Sequence, residues 1–197
     1  MIELVCASAN PDKVAEMAEV LAGHAVLLPR PEGVGDVAED AEDLTGNARL
    51  KAQAVCEFAG APALADDTGL EVDVLGGAPG VHSARYAGPE ASYADNLARL
   101  MADMRAVPTP QRTARFRSVV MVCFPDGSEL AAEGVVEGVI TVDPRGSGGF
   151  GYDPVFAPVE GGGRTFAEMG ASAKNAMSHR ARALRALLEI LRRGESP

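Results

Sequence analysis

Two adjacent carboxylates, Asp66 and Asp67, close an apolar run and are followed by Thr68-Gly69. Carboxylates are poor strand material unless a cation or a metal compensates them. Successive strand side chains face opposite ways, so an unbroken strand aims only one of the two into a given site. The pair admits two readings: an acid that does chemistry, or an Asp-Thr-Gly turn ending the strand. Upstream, Glu39-Asp40-Ala41-Glu42-Asp43 offers hard oxygen donors to a magnesium ion, or else forms a solvated surface loop.

The cations are distributed unevenly. Of 18 Lys and Arg residues only three are lysine: Lys13, Lys51 and Lys174. Lysine kept against an arginine background fits a site that wants a compact point charge rather than a planar fork. Lys13 ends Ser8-Ala9-Asn10-Pro11-Asp12-Lys13, where a strand hands over to a helix whose backbone N–H groups attract anions. The same segment also reads as an ordinary capped helix with a surface lysine. Lys51 stands within a helix. Lys174, His179 and Arg180 fall on a later one, where about 3.6 residues per turn set 174 and 179 well apart, so they converge on one ligand only near the helix start.

Gly146-Ser147-Gly148-Gly149-Phe150-Gly151 matches G-x-G-x-x-G, but Tyr152-Asp153-Pro154-Val155-Phe156 cannot open the helix that a dinucleotide site requires. No G-x-x-x-x-G-K-[ST] occurs, which excludes a P-loop. Glycines beside Phe150, Tyr152 and Asp153 suit a flat base lying on an aromatic ring, with Asp153 accepting from a ring N–H; a glycine-rich turn with buried aromatics is the other reading.

The elements that must position these residues follow from periodicity. Ile2–Ala7 reads as a buried strand, Asn10-Pro11 as the start of a helix ending at Gly23, and Ala25–Leu28 as a short strand. Pro29 to Asp43 is loop. A helix over Leu44–Ala59 points Leu50, Ala54, Val55 and Phe58 inward. Strand Ala63–Asp67, the Asp67-Thr68-Gly69 turn and strand Leu70–Leu75 come next. Ser92 and Asp95 form a capping box for a third helix. Arg115–Phe124 and Glu129–Val142 flank Pro125-Asp126-Gly127-Ser128 as a hairpin, and one long helix runs from Ser172 to Arg193. Early strand–helix alternation followed by a hairpin predicts a mixed α/β domain with two lobes around a cleft, spanning 1–197.

Composition narrows the class. With 47% hydrophobic and 23% charged residues, the 197-residue chain can bury a core, and the expectation is an ordered domain. No apolar stretch of about 18 residues occurs, and Met1-Ile2-Glu3-Leu4 lacks a basic flank, so the expectation is a cytoplasmic protein without membrane span or secretory signal. Cys6, Cys56 and Cys123 are too scattered for a disulfide framework. A net charge of −10 without a basic run argues against long nucleic acid as partner, while a small phosphate ligand needs only a few converging cations.

Taken in order, several segments resemble the inosine/xanthosine triphosphate pyrophosphatases, the Ham1-like enzymes. They are Ser8–Glu16, Ala65–Val72, Leu75–Gly88, Gly149–Phe156, and Thr165–Met169 with Lys174–Arg180, and from first to last they span nearly the whole chain. The resemblance implies an elongated mixed β-sheet with flanking helices in two lobes around a nucleotide cleft, the Maf/Ham1-like fold, and a homodimer. It implies hydrolysis of dITP, ITP and XTP to the monophosphate and pyrophosphate with Mg2+. Asp67 would be general base and metal ligand, with Glu39 the second carboxylate. Ser8, Ala9, Asn10, Pro11, Asp12 and Lys13 would wrap the triphosphate, with Lys51 and Lys174 also handling phosphate. Thr68, Phe150, Gly151, Tyr152, Asp153, Lys174, His179 and Arg180 would contact the nucleotide, the base stacking on Phe150 and its 6-keto group meeting His179-Arg180.

Three departures stand out. Thr68 replaces the usual serine and keeps the hydroxyl. Gly46 precedes Asn47 where a Glu is common. The acidic loop lacks the usual Glu-x-Gly, so Asp40 and Glu42 remain candidates beside Glu39. Two other classes fit the same residues less fully: a Maf-type pyrophosphatase acting on pyrimidine or methylated nucleotides, and a nucleotide-binding protein without hydrolysis.

Overall fold

A computed structural model describes residues 1–194. The fold is mixed α/β, with one open sheet flanked by helices. Its strands are β1 (Ile2–Cys6), β2 (Ala25–Leu28), β3 (Ala63–Val72), β4 (Pro79–Gly80), β5 (Thr113–Cys123), β6 (Glu129–Ile140) and β7 (Phe156–Pro158). The sheet order is β2-β1-β3-β5-β6-β7, with β4 paired to β3. β1 runs parallel to β2 and β3, whereas β4 on β3 and β7 on β6 are antiparallel. The helices are α1 (Pro11–Leu21), α2 (Leu44–Ala59), α3 (Tyr93–Asp103), α4 (Ala171–Met177) and α5 (His179–Arg193).

The chain forms two compact units. Among the described residues, the first comprises 1–67, 118–134 and 179–194; the second comprises 68–117 and 135–178. In the first, Leu4 and Cys6 of β1, Met17 and Leu21 of α1, Leu64 of β3, Val120 and Val122 of β5, and Ala183, Leu184, Leu187 and Leu188 of α5 bury one apolar cluster. In the second, Leu70 and Val72, Leu100 and Met104, Phe116, Val136 and Ile140, and Phe156 and Phe166 bury another. Phe116 meets the ring edge of Phe156 at 4.7 Å between centroids. Arg112 is buried there among main-chain oxygens; its guanidinium donates to the carbonyls of Met104, Val107, Ile140 and Thr141 at 2.7–3.1 Å. A buried cation is tolerable when every donor it extends finds an oxygen.

Local signals explain most boundaries. Asn10 caps α1 with its carboxamide oxygen on the N–H groups of Asp12 and Lys13, and Pro11 occupies the first helical position. Ser92 and Asp95 form the expected reciprocal box on α3. The β5–β6 hairpin closes as Phe124 N–H donates to Ser128 O at 2.9 Å.

Three expectations are corrected. β3 does not turn at Asp67-Thr68-Gly69 but continues to Val72, with Asp73–Leu75 a 3-10 turn; both aspartates find cations, so nothing forces the ladder to stop. Phe58 of α2 is 56% exposed rather than inward, because the buried stripe runs along Leu44, Ala48, Ala52 and Val55. The long final helix is two: Ser178 adopts an extended backbone (φ −64°, ψ 154°) and separates α4 from α5. Apolar spacing on both sides hides this break, which a single serine makes.

The break lets α5 lie hard against β6. A Cβ added at Gly134 would collide with the carbonyl of His179 and the amide nitrogen of Ala183, backbone atoms that cannot rotate away. Gly134→Ala is expected to destabilise the protein by about 1–3 kcal/mol through overpacking. Its thermal midpoint should fall by roughly 3–10 °C; an unchanged midpoint would show that α5 can shift.

Candidate active site

In the first unit, β3 presents Asp66 and Asp67 to opposite sides, as strand geometry requires, and each is almost wholly buried. Asp66 receives Lys13 Nζ at 3.1 Å and the guanidinium of Arg180 at 3.1 Å. Arg180 is itself buried and its Nη1 pairs with Glu16 of α1. Asp67 receives Lys51 Nζ at 2.7 Å on Oδ1, and the Asn47 carboxamide stands 3.4 Å from Oδ2. Lys51 also reaches Glu39 Oε1 at 3.6 Å, so the acidic-loop carboxylate and Asp67 share one ammonium.

Electrostatics separate the two aspartates. Burial opposes ionisation of Asp66, but the charges of Lys13 and Arg180 outweigh it and hold its carboxyl well below the ordinary range. For Asp67, burial wins over Lys51 and Lys13, and its carboxyl is raised. Asp66 is thus a fixed anion, while Asp67 is the more basic of the pair, which is the property wanted in a group that accepts a proton. Burial weakens the grip of Lys13 on its proton, with Asp66 pulling the other way. Lys51 also suffers from burial, yet Asp67, Asp66 and Glu39 more than compensate and raise it.

The segment before α1 is less open than a bare helix start. Asn10 Oδ1 already takes the N–H groups of Asp12 and Lys13 at 3.0 and 3.3 Å, and Ser8 Oγ accepts from Asn10 N at 3.2 Å. Ala9, Pro11 and Asp12 lie exposed at this turn. His179 is buried at the start of α5 beside Arg180.

In the second unit, Asp153 is buried, and its Oδ2 accepts from Phe150 N at 2.9 Å and Lys174 Nζ at 2.5 Å. Lys174 lies over the Phe150 ring, 4.8 Å from its centroid. Phe150 also faces Tyr93 at 5.7 Å. One carboxylate therefore fixes both a lysine and the ring it covers. Tyr152 is buried with its hydroxyl donating to Ser83 O at 2.9 Å, an anchoring role. Thr68 and Gly151 are partly buried.

Of the residues expected from the sequence, the structure brings Glu39, Lys51 and Asp67 together around one ammonium, and Lys13 and Arg180 together on Asp66. Phe150, Asp153 and Lys174 meet in the second unit. Sequence reasoning weighed Asp66 only as one of a pair and gave no role to it, to Glu16 or to Asn47. The doubled aspartate and its alternation along the strand carried the signal for Asp66; nothing local marked its partners, since Arg180 lies 114 residues away.

Removing the charge of Asp66 takes away the carboxylate that Lys13 contacts and leaves buried Arg180 with Glu16. Asp66→Asn should cost about 3–5 kcal/mol at neutral pH, the usual penalty for breaking a buried pair. The folded carboxyl sits below the ordinary 3.8, so its contribution is complete above that value and is lost as pH falls through the depressed folded value. Denaturant titrations of both proteins should give a gap that is flat down to about pH 4 and narrows below; a gap absent at pH 7 would mean the pairs contribute nothing.

A model of the Ham1 family matches residues 4–190 of this chain. The dITP/XTP pyrophosphatase of Desulforamulus reducens is 47% identical over 98% of the chain and 96% of that protein. The dITP/XTP pyrophosphatase of Thermus thermophilus is 47% identical over 100% of the chain and 95% of its length. The solved structure of a HAM1 protein from Coxiella burnetii superposes with a TM-score of 0.87 at 40% identity, covering 98% of this chain and 100% of that one. With a family model spanning nearly its full length and relatives this similar end to end, the chain belongs to the Ham1 family.

Proposed function

We propose that this protein hydrolyses non-standard purine nucleoside triphosphates, such as dITP, ITP and XTP, to the nucleoside monophosphate and pyrophosphate, and so clears them from the nucleotide pool. The observation that carries the reading is the Glu39–Lys51–Asp67 cluster in a chain whose full-length relatives are named dITP/XTP pyrophosphatases. A Maf-type preference for pyrimidines finds no support in those names.

The cofactor of this reading is Mg2+. Among the described residues no group of three or more His, Cys, Asp and Glu could enclose a metal ion. What is present is a pair of carboxylates, Glu39 and Asp67, drawn to one lysine. That donor set fits a hard cation held by one or two carboxylates and completed by substrate phosphates and water. When bound, the ion would neutralise charge on the phosphate oxygens.

The chain's own residues do the rest. Asp67, made more basic by burial, takes the proton of the water that attacks the α-phosphorus. Lys13 and Lys51 place positive charge for the departing pyrophosphate, and Lys174 adds its own to phosphate handling. Asp66 holds Lys13, which keeps that ammonium from wandering. The Ser8–Lys13 turn contributes through side chains and the backbone of Ser8 and Ala9, because the Asn10 carboxamide already occupies the first amides of α1. Thr68, Phe150, Gly151, Tyr152 and Asp153 are the proposed nucleotide contacts of the second unit. Phe150, braced by Asp153 and Lys174, offers a face to a purine. His179 and Arg180 supply hydrogen-bond donors suited to a 6-keto oxygen, Arg180 sharing its guanidinium with Asp66 and Glu16. Adenine, whose 6-amino group donates, would leave such donors unpaired at several kcal/mol. A cytoplasmic homodimer completes the reading. No helix among the described residues is long and apolar enough to cross a membrane.

Purified protein incubated with Mg2+ and dITP, XTP, dATP, dGTP, dTTP and UTP should release pyrophosphate and monophosphate from dITP and XTP. Orthophosphate as product, or a pyrimidine preference, would overturn the reading. Asp67→Asn should lower kcat by about 10²- to 10⁴-fold while nucleotide binding survives; full activity in that variant would remove Asp67 from the chemistry.

A further inference from the structure

Asn47 is fully buried in the first turn of α2, with no exposed surface at all. A primary carboxamide in such a place must satisfy donors and acceptor inside the protein. Its Oδ1 accepts from the backbone N–H of Ala41 at 3.1 Å, inside the acidic loop and two residues from Glu39. Its Nδ2 faces Asp67 Oδ2 at 3.4 Å on β3. The amide cannot be turned over: that would set its oxygen against a carboxylate and its NH2 against a backbone N–H.

Two further contacts clamp the same loop to the same helix turn. Asp43 caps α2, its Oδ1 taking Gly46 N at 2.7 Å. A Cβ at Gly46 would stand 2.5 Å from the Ala41 Cβ, so the loop approaches the helix closely enough to require glycine there. This accounts for the departure noted in the sequence, where Gly46 precedes Asn47.

We propose that Asn47 is a positioning residue that registers the Glu39 loop against Asp67, one end of its carboxamide fixing the loop backbone and the other orienting the proton-accepting carboxylate. The proposal rests on the functional reading above for what Asp67 does. The bridge itself is independent of that reading. Lys51 links the Glu39 side chain to Asp67, whereas the planar amide links the loop backbone to Asp67. With Lys51 on Oδ1 and Asn47 on Oδ2, the carboxylate is held from both sides and its plane is set.

The test uses the full chain and two variants. Asn47→Asp is isosteric, keeps an acceptor for Ala41 N–H and replaces the amide donor with a second carboxyl set against Asp67; Asn47→Ala loses both contacts. Hydrogen exchange at the Ala41 amide, measured without nucleotide, reads the clamp. It should quicken about tenfold or more in Asn47→Ala and stay near wild type in Asn47→Asp. With dITP, kcat should fall about 10- to 100-fold in both, with KM changed by about threefold at most, the loss expected when a group that orients a catalytic residue is removed. Unchanged Ala41 exchange in Asn47→Ala overturns the clamp, whatever the wild-type protein hydrolyses. A kcat within about twofold of wild type in Asn47→Ala overturns the orienting role. Should Asn47→Ala unfold, Asn47→Ser replaces it in the exchange measurement. A wild-type protein inactive on every nucleotide, with Ala41 exchange behaving as described, would count against the functional reading and leave the clamp standing.

Discussion

Consecutive carboxylates in the middle of a buried strand impose a constraint that much of the first unit obeys. Alternation sends Asp66 and Asp67 to opposite sides of β3, so each is contacted by its own cations, and an unpaired charge at either position would cost several kcal/mol. Two separate supplies of positive charge are therefore delivered. Lys13 from α1 and Arg180 from α5 serve Asp66, and Lys51 from α2 serves Asp67. Three helices are thus tied to one strand through charge as well as through the apolar cluster beneath them.

The two aspartates are then driven apart in character. Asp66, between two cations, is locked as an anion and anchors others; Asp67, where burial dominates, is left more basic. A pair of identical side chains with opposed environments is a recurrent way to divide structural from chemical work. The second unit repeats the logic on a smaller scale, where buried Asp153 fixes both the Phe150 backbone and the Lys174 ammonium that covers the Phe150 ring. In each case a carboxylate that reads in sequence as a ligand-binding residue is engaged by the protein itself.

That pattern explains what could be seen in advance. Alternating apolar segments, the Asn10-Pro11 cap, the Ser92–Asp95 box and the Pro125–Ser128 turn are local signals, and the elements follow them closely. The three lysines stood out against the arginine background, and each is engaged by a buried carboxylate. What was illegible is long-range or subtractive. The Asp66–Arg180 and Asn47–Asp67 contacts span 114 and 20 residues, and no spacing rule joins them. The split between α4 and α5 depends on one backbone torsion at Ser178, inside a pattern whose periodicity is helical on both sides. Phe58 misled because its spacing fits an inward stripe, while the stripe that is buried runs along Leu44, Ala48, Ala52 and Val55 and leaves the ring outside.

The central claim is that Asp67 activates water for attack at the α-phosphorus. Hydrolysis of dITP in 18O-labelled water, with both products analysed by mass spectrometry, tests the site of that attack directly. Attack at the α-phosphorus places the label in the nucleoside monophosphate and leaves the pyrophosphate unlabelled, as the account predicts. Label in the pyrophosphate would mean attack at the β-phosphorus, and the assignment of Asp67, Lys13 and Lys51 to their places around the scissile bond would be wrong.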